Sequence, residues 1–291
     1  MKHCKRMILV DAHVHIYECF NLEAFFNSAY RNFENEADRS GLGNDFSAVL
    51  LLAETPRENW FHRLPEVADE KRLPRERETG NWRFYHTDDP CSLQGRSGDN
   101  GELFVIAGRQ VVTEEGLEVL CLGSTCSFPE GLPVEGLIKK VRDAGGIPII
   151  PWGFGKWAGR RGAILDKALR TAQENDFFLG DSANRPSFLP YPSQLKRAEE
   201  RNIRNLPGSD PLPFRSGQKR AGSFGFSVSE HLDKSEPSKH LKEIVANRKI
   251  ELRPYGEPMG VCGFTRSQMR LLLRKIPRSA SQTPGGNIRD I

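Results

Sequence analysis

The sequence predicts an α/β protein in which short buried strands alternate with helices. Apolar runs of strand length, such as residues 7–10 and 48–52, lack polar alternation, which is typical of strands covered on both faces. Segments with helical spacing of apolar residues follow several of these runs. Because strands that alternate with helices at this rhythm form parallel βαβ units, we expect a barrel or a doubly wound sheet.

The first half of the chain predicts strand, helix, strand, a surface excursion and a hairpin. In chain order the segments are a strand at 7–10, a helix at 22–33, a strand at 47–53, a charged and proline-rich excursion at 56–81, and strands at 103–107 and 118–123. Between the last two strands, Glu114-Glu115-Gly116 predicts a hairpin turn.

The second half returns to alternating helices and strands. A helix begins at Pro133 and ends at Gly145-Gly146. The later elements are a strand at 147–150, a helix at 163–174, a strand at 177–179, a helix at 194–202, a strand at 203–206 and a helix at 265–275. The composition turns basic and polar after about residue 229. We therefore expect one domain over 1–228 and a helical extension with a flexible tail over 229–291.

The composition excludes several classes of protein. The chain has 291 residues, 37% hydrophobic and 27% charged, which is typical of a soluble globular protein. Its net charge of +4 gives no strong nucleic-acid signal, and no apolar stretch approaches the length of a membrane span. The six cysteines include no Cys-x-x-Cys pair and indicate reduced thiols. We expect a cytoplasmic protein that does not bind membranes.

The most informative motif is Asp-Ala-His-Val-His at residues 11–15, directly after an apolar run. Because side chains alternate along a strand, His13 and His15 point to the same side. In a barrel of parallel strands, the active site lies at the carboxyl ends of the strands. Neutral imidazole binds zinc, manganese and iron. The alternative is two unrelated surface histidines in a turn. Since the chain has only 7 histidines, this spacing favours a metal site.

Three carboxylates that follow other predicted strands are candidates for the same site. Asp181 and Asp210 are candidate ligands, and Glu54 is a candidate ligand or general base. For Asp181 or Asp210 alone, a helix cap or a turn is an equally good explanation. His13, His15 and Asp210 can hold one divalent ion, zinc, manganese or iron, with an open position for water. Glu54 and Asp210 are the candidate catalytic residues.

Cations and polar groups near the predicted strand ends indicate an anionic small-molecule substrate. The glycine-rich loop 153–162 runs from a strand end into a helix start, where free N–H groups and the helix dipole favour anions. The candidate substrate-binding residues are Gln110, Lys156, Arg160, Arg161, Arg185 and Arg215. The alternative is a set of solvated surface charges, the usual state of isolated lysines and arginines.

With these motifs in place, the chain resembles the polymerase and histidinol phosphatase (PHP) superfamily of metal-dependent hydrolases. The resemblance rests on the His-x-His strand end at 11–15, the strand-turn-strand at 108–123, and Gly208-Ser209-Asp210. It extends over residues 7–215, and only the His-x-His pair is specific by itself. The family implies a distorted TIM-like (β/α)7 barrel with metal ions bound at the carboxyl ends of its strands.

The chain departs from the family pattern at four expected ligand positions. Where the family has an Asp-His, a bridging Glu, a His-Pro and a final His, this sequence has Ala53-Glu54-Thr55, Gln110, Pro151-Trp152 and Leu212. The resemblance still implies a phosphoesterase that uses metal-activated water. The alternatives are a binding or regulatory protein that has lost part of its metal centre, and an amidohydrolase-type amide or lactone hydrolase.

Overall fold

The computed structural model describes residues 6–67, 78–173 and 175–275, and in these ranges the chain forms eleven strands and seven α-helices. The strands are β1 (Met7–Val14), β2 (Phe46–Leu52), β3 (Trp82–His86), β4 (Ser92–Ser97), β5 (Glu102–Ile106), β6 (Gly108–Val112), β7 (Glu118–Leu122), β8 (Ile147–Pro151), β9 (Phe178–Gly180), β10 (Gly225–Val228) and β11 (Arg253–Tyr255). The helices are α1 (Leu22–Arg39), α2 (Trp60–Val67), α3 (Val134–Asp143), α4 (Gly159–Thr171), α5 (Ser193–Glu200), α6 (Pro237–Ala246) and α7 (Val261–Lys275). The predicted flexible tail and the middle of the predicted excursion lie outside the described residues.

The strands form two mixed sheets. The larger sheet has the order β11-β10-β1-β2-β5-β4-β3, and the smaller has the order β6-β7-β8-β9. Strands β1, β2 and β5 run parallel, but β10 pairs with β1, and β4 pairs with β5, in antiparallel fashion. In the smaller sheet only β8 and β9 are parallel.

The predicted (β/α)7 barrel is wrong, because the described residues form these two open sheets and no closed barrel. The prediction assumed that a crossover helix follows each apolar run. Strands β3, β4 and β5, and likewise β6 and β7, are instead joined by short turns, which produce antiparallel neighbours. Among the described residues, the predicted strand at 203–206 forms only an isolated bridge with β9, Leu179 with Asn205. The residue after the predicted strand, Pro207, has no N–H with which to extend a ladder.

The larger sheet is covered on both faces, as its apolar strands require. On one face, Leu50 of β2 packs in a cluster with Phe25 and other apolar residues of α1. On the other face, Val49 packs in a cluster that contains Ile149 of β8 and Leu241 of α6. The outer face of the smaller sheet packs against α3, α4 and α5. The smaller sheet therefore lies between the larger sheet and these three helices.

Gly108 lets β6 approach the end of β2. A Cβ at this position would overlap with the carbonyl oxygen of Leu52. The N–H of Glu54 donates to the carbonyl of Gly108 at 3.1 Å, and the N–H of Gln110 donates back to the carbonyl of Glu54 at 2.9 Å. This contact brings one edge of the smaller sheet to the carboxyl end of β2.

The segment after residue 228 takes part in the fold. Helix α6 contributes Leu241 and Ile244 to the core between the sheets, and β11 extends the larger sheet beside β10. The predicted helix at 265–275 is observed as the longer α7. The division of the chain at residue 228 stays a prediction. Among the described helices, none has the length and apolar character needed to cross a membrane.

Candidate metal centre

Three potential metal ligands converge at the carboxyl end of β1, and we call them the histidine cluster: His13, His15 and Asp210. The Nε2 atoms of the two histidines lie 3.0 Å apart. Oδ1 of Asp210 lies 3.7 Å from Nε2 of His13 and 3.9 Å from Nε2 of His15. Both imidazoles are buried, whereas the Asp210 side chain is 22% exposed. Solvent therefore reaches the cluster from the carboxylate side.

The spacing of these three atoms fits a single tetrahedral ion. An ion bound at about 2.1 Å to each ligand holds its ligand atoms roughly 3.4 Å apart. The three separations of 3.0, 3.7 and 3.9 Å bracket that spacing. Two nitrogens and one carboxylate oxygen leave a fourth position free, which is the arrangement of catalytic rather than structural zinc sites.

An irregularity in β1 shapes the end of the strand that carries the histidines. Asp11 lies opposite Leu50 of β2, but Val14 lies opposite Leu52, so β1 contains one extra residue. Such a bulge bends a strand and redirects its side chains, and bulges are frequent beside active sites. His13 lies within this irregular stretch.

Asp11 connects the bulge of β1 to two segments that are distant in the sequence. Its Oδ1 accepts the N–H of Ser209 at 2.8 Å and of His13 at 3.3 Å, and its Oδ2 accepts the N–H of Gly222 at 2.8 Å. Complete burial raises the pKa of Asp11 to about 7, although these hydrogen bonds act in the opposite direction. The side chain joins three distant segments, which gives it a structural role.

The backbone around Asp210 brings its carboxylate to the histidines. The Asp210 N–H donates to the carbonyl of His13 at 2.8 Å, and Oδ2 accepts the Ser182 hydroxyl at 3.1 Å. Its φ of 48° lies in the left-handed region, which aspartate tolerates better than most residues. A Cβ at Gly208 would lie 2.5 Å from the Cβ of His13, so only glycine permits this close approach. The Gly-Ser-Asp segment is thereby docked onto β1.

The environment sets the charges of the cluster. Burial, reinforced by the neighbouring His13, lowers the pKa of His15 to about 3. Burial raises the pKa of Asp210, but the two histidines outweigh this effect and hold that pKa below its ordinary value. At neutral pH, His15 is therefore neutral and Asp210 is ionised, the forms in which each binds a metal.

Two residues that the sequence did not single out border His15. Oε2 of Glu58 lies 4.0 Å from Nδ1 of His15, and Tyr17 stacks on the imidazole with ring centroids 5.3 Å apart. A carboxylate that accepts the N–H of the second nitrogen of a metal-binding histidine orients the ring. Glu58 faces this nitrogen from beyond hydrogen-bond distance, and Nδ1 has no hydrogen-bond partner among the described residues. Glu58 also accepts the N–H of Thr55 at 2.9 Å. In the sequence, the only local pattern that involves Glu58 is the Thr55-x-x-Glu58 spacing, which is that of a capping box.

Two predicted site carboxylates have other partners. Oε1 of Glu54 accepts two backbone N–H groups at the start of α2. One comes from Trp60, and the other comes from Phe61 at 3.1 Å. Burial also raises the pKa of Glu54. Asp181 forms a two-point ion pair with Arg185, at 2.8 and 2.9 Å. Glu54 therefore caps a helix, Asp181 and Arg185 satisfy each other, and their functional roles stay predictions.

The other predicted substrate-binding residues are spread over several environments. Lys156 forms an ion pair with the glutamate at the start of β7, and its charge also acts on the histidine cluster. Arg161 donates to two backbone carbonyls, at 3.3 and 3.0 Å. Gln110 interacts with His15. Arg160 and Arg215 are exposed. Lys156 is the predicted cation that the structure brings to the cluster.

The fold and the cluster together define an α/β protein with a candidate mononuclear metal site. No protein-family model and no curated protein matches its sequence. Solved structures share the fold: PsfC from Pseudomonas syringae PB-5123 is 13% identical over 92% of this chain and 98% of its own, with a TM-score of 0.52. At this identity the likeness concerns the fold alone.

A second solved structure is less similar. The lesion-specific endonuclease PfuEndoQ from Pyrococcus furiosus is 10% identical, and the match covers 84% of this chain and 57% of that protein, with a TM-score of 0.48. A likeness this distant carries no argument about chemistry. The resemblance to the PHP superfamily therefore rests on the sequence motifs alone and stays a prediction.

Proposed function

We propose that this protein is a metal-dependent hydrolase of anionic esters, a phosphoesterase. The observation that supports the proposal is the convergence of His13, His15 and Asp210, whose ligand atoms all lie within 4.8 Å of one another. These residues would hold one zinc, manganese or iron ion. Such an ion, when bound, supplies polarisation of a phosphoryl oxygen and activation of water.

The surrounding residues prepare the site for this chemistry. Asp11 fixes the backbone of the strand end and of the Gly-Ser-Asp segment, and Glu58 lies where it can orient His15. Lys156 lines the cavity beside Asp210 and provides positive charge for an anionic group. All of these are positioning or binding roles, and they come from different elements of the fold.

Metal analysis of protein purified without a histidine tag tests the proposal. We expect about one equivalent of a transition metal in the wild type and its loss in the His13→Ala/His15→Ala double variant. His86→Ala, an exposed residue at the end of β3, is the matched control and should keep its metal. Hydrolysis of a generic phosphomonoester should require the metal and disappear in the double variant. Equal metal in wild type and double variant would refute the site.

A second candidate function is that of a non-catalytic binding or regulatory protein. It is favoured by one observation: Glu54 caps α2 and Asp181 is paired with Arg185, so neither adds a ligand to the cluster. Fewer charges at the centre stabilise a transition state less. Stoichiometric metal without turnover of phosphoesters, amides or lactones would favour this second candidate.

A further inference from the structure

A cavity of about 280 Å³ lies beside the histidine cluster and has two chemically different sides. Its polar side is formed by Asp210, Asn184 and Lys156. The rest of the wall is largely apolar and includes Trp152, Phe154, Leu212, Met259, Phe264, Leu271 and Leu272, with Ser267 and Gln268 as its polar members. This volume is at the lower end of the range for small-molecule sites, roughly 300–1,000 Å³.

Helix α7 provides Phe264, Leu271 and Leu272 of the apolar wall and is held over the cavity by several contacts. The Phe264 ring packs edge-on against Phe154, with centroids 5.0 Å apart, and against Phe188 at 5.8 Å. The guanidinium of Arg270 lies over the Phe214 ring at 5.7 Å. Just before the helix, Met259 exchanges backbone hydrogen bonds with the chain after β9. The cavity is therefore a partly enclosed chamber, with α7 as one wall.

We infer that the substrate is a small anionic ester whose organic group is apolar and of aromatic size, an inference that rests on the proposed function. The anionic end lies near Lys156 and Asp210, and the organic group packs against Phe154 and Phe264. Burial of an apolar group here removes apolar surface from water on both partners. A sugar-like group would instead bury hydroxyls against Phe154 and Phe264, which offer no hydrogen bonds, and this is unfavourable.

The corresponding reaction consumes one water molecule. The oxygen of water bonds to phosphorus, the ester phosphorus–oxygen bond breaks, and the departing oxygen takes up a proton. The products are inorganic phosphate and an apolar alcohol or phenol. The size of the chamber favours a small molecule over a nucleic-acid strand.

Binding of two phosphonates that cannot be hydrolysed tests the inference separately from catalysis. In calorimetric titrations of the metal-supplemented protein, we expect phenylphosphonate to bind at least about tenfold more tightly than methylphosphonate. Phe154→Ala, in an exposed loop, and Phe264→Ala should each reduce this preference about fivefold. Leu273→Ala is the matched control, because this residue is on the same helix but is 67% exposed.

The possible results separate the two proposals. Equal affinity of the wild type for both phosphonates, or a preference that survives both phenylalanine substitutions, would overturn the inference. Selective binding of phenylphosphonate without turnover of phenyl phosphate would support the apolar chamber and overturn the hydrolase. Faster cleavage of a single-stranded oligonucleotide than of phenyl phosphate would overturn the substrate class.

Discussion

Replacement of Gly208 by alanine should destabilise the protein and impair metal binding together. The new Cβ would lie 2.5 Å from the Cβ of His13 and overlap with its backbone nitrogen. The obstacle is the backbone of β1, which cannot rotate away as a flexible side chain would. The Gly-Ser-Asp segment must therefore move outward, and it carries Asp210 with it.

Two hydrogen bonds depend on the present position of this segment. One joins the Asp210 N–H to the carbonyl of His13, and the other joins the Ser209 N–H to Asp11, each at 2.8 Å. A backbone hydrogen bond contributes about 1 kcal/mol, and one to a carboxylate about 1.5–3 kcal/mol. Overpacking adds about 1–3 kcal/mol. We expect a loss of about 3.5–7 kcal/mol, a large fraction of the roughly 5–15 kcal/mol that stabilises a domain.

Urea denaturation, with metal affinity measured on the same samples, checks this prediction. Gly136→Ala is the matched control, because nothing lies within 4 Å of its new Cβ and it lies in α3. That change should stabilise the helix by about 0.5–1 kcal/mol. Metal affinity of Gly208→Ala should fall more than about tenfold, since even changes behind the ligands cost 10–100-fold. Wild-type stability and metal affinity in Gly208→Ala would refute the docking of this segment on β1.

Two further predictions concern Glu58 and the cysteines. Glu58→Gln should weaken metal binding by about 10–100-fold without unfolding the protein, because the carboxylate beside Nδ1 of His15 is lost. The control is Glu66→Gln, at an exposed position of α2. An unchanged dissociation constant for metal in Glu58→Gln would exclude an orienting role. Iodoacetamide should modify the exposed Cys126 and Cys262 of the native protein, whereas Cys121 should react only after unfolding, because burial raises the pKa of its thiol to about 12. Mass spectrometry of digested protein measures this order, and rapid labelling of native Cys121 would contradict the packing of β7.

Local patterns predicted many of the elements correctly. The turn predicted at 114–116 is confirmed, and it contains Gly116 with a φ of 75°, but the strand paired with β7 across it is β6 and not the predicted strand at 103–107. The helix that begins after Pro133 is confirmed as α3. These signals depend on residues close together in the chain, where turn chemistry and helical spacing decide the structure.

Two of the missed strands, β4 and β11, lack such local signals. Strand β11 has three residues, of which Arg253 and Pro254 are exposed, and it is a strand only because β10 lies beside it. Strand β4 contains Gly95 and Arg96 and pairs with neighbours on both sides. Strand pairing is a long-range property, which periodicity within one segment does not reveal. For the same reason, the sequence could not distinguish a closed barrel from two open sheets.

The sequence by itself determined that His13 and His15 would lie together, because they are two residues apart at the end of β1, where extended backbone sets their relative positions. The tertiary structure decided which carboxylate joins them. Asp181 and Asp210 have similar local settings in the sequence, but Asp181 meets Arg185, whereas Asp210 is docked on His13. That choice depends on how closely distant backbones approach one another, and this distance exists only in the folded chain.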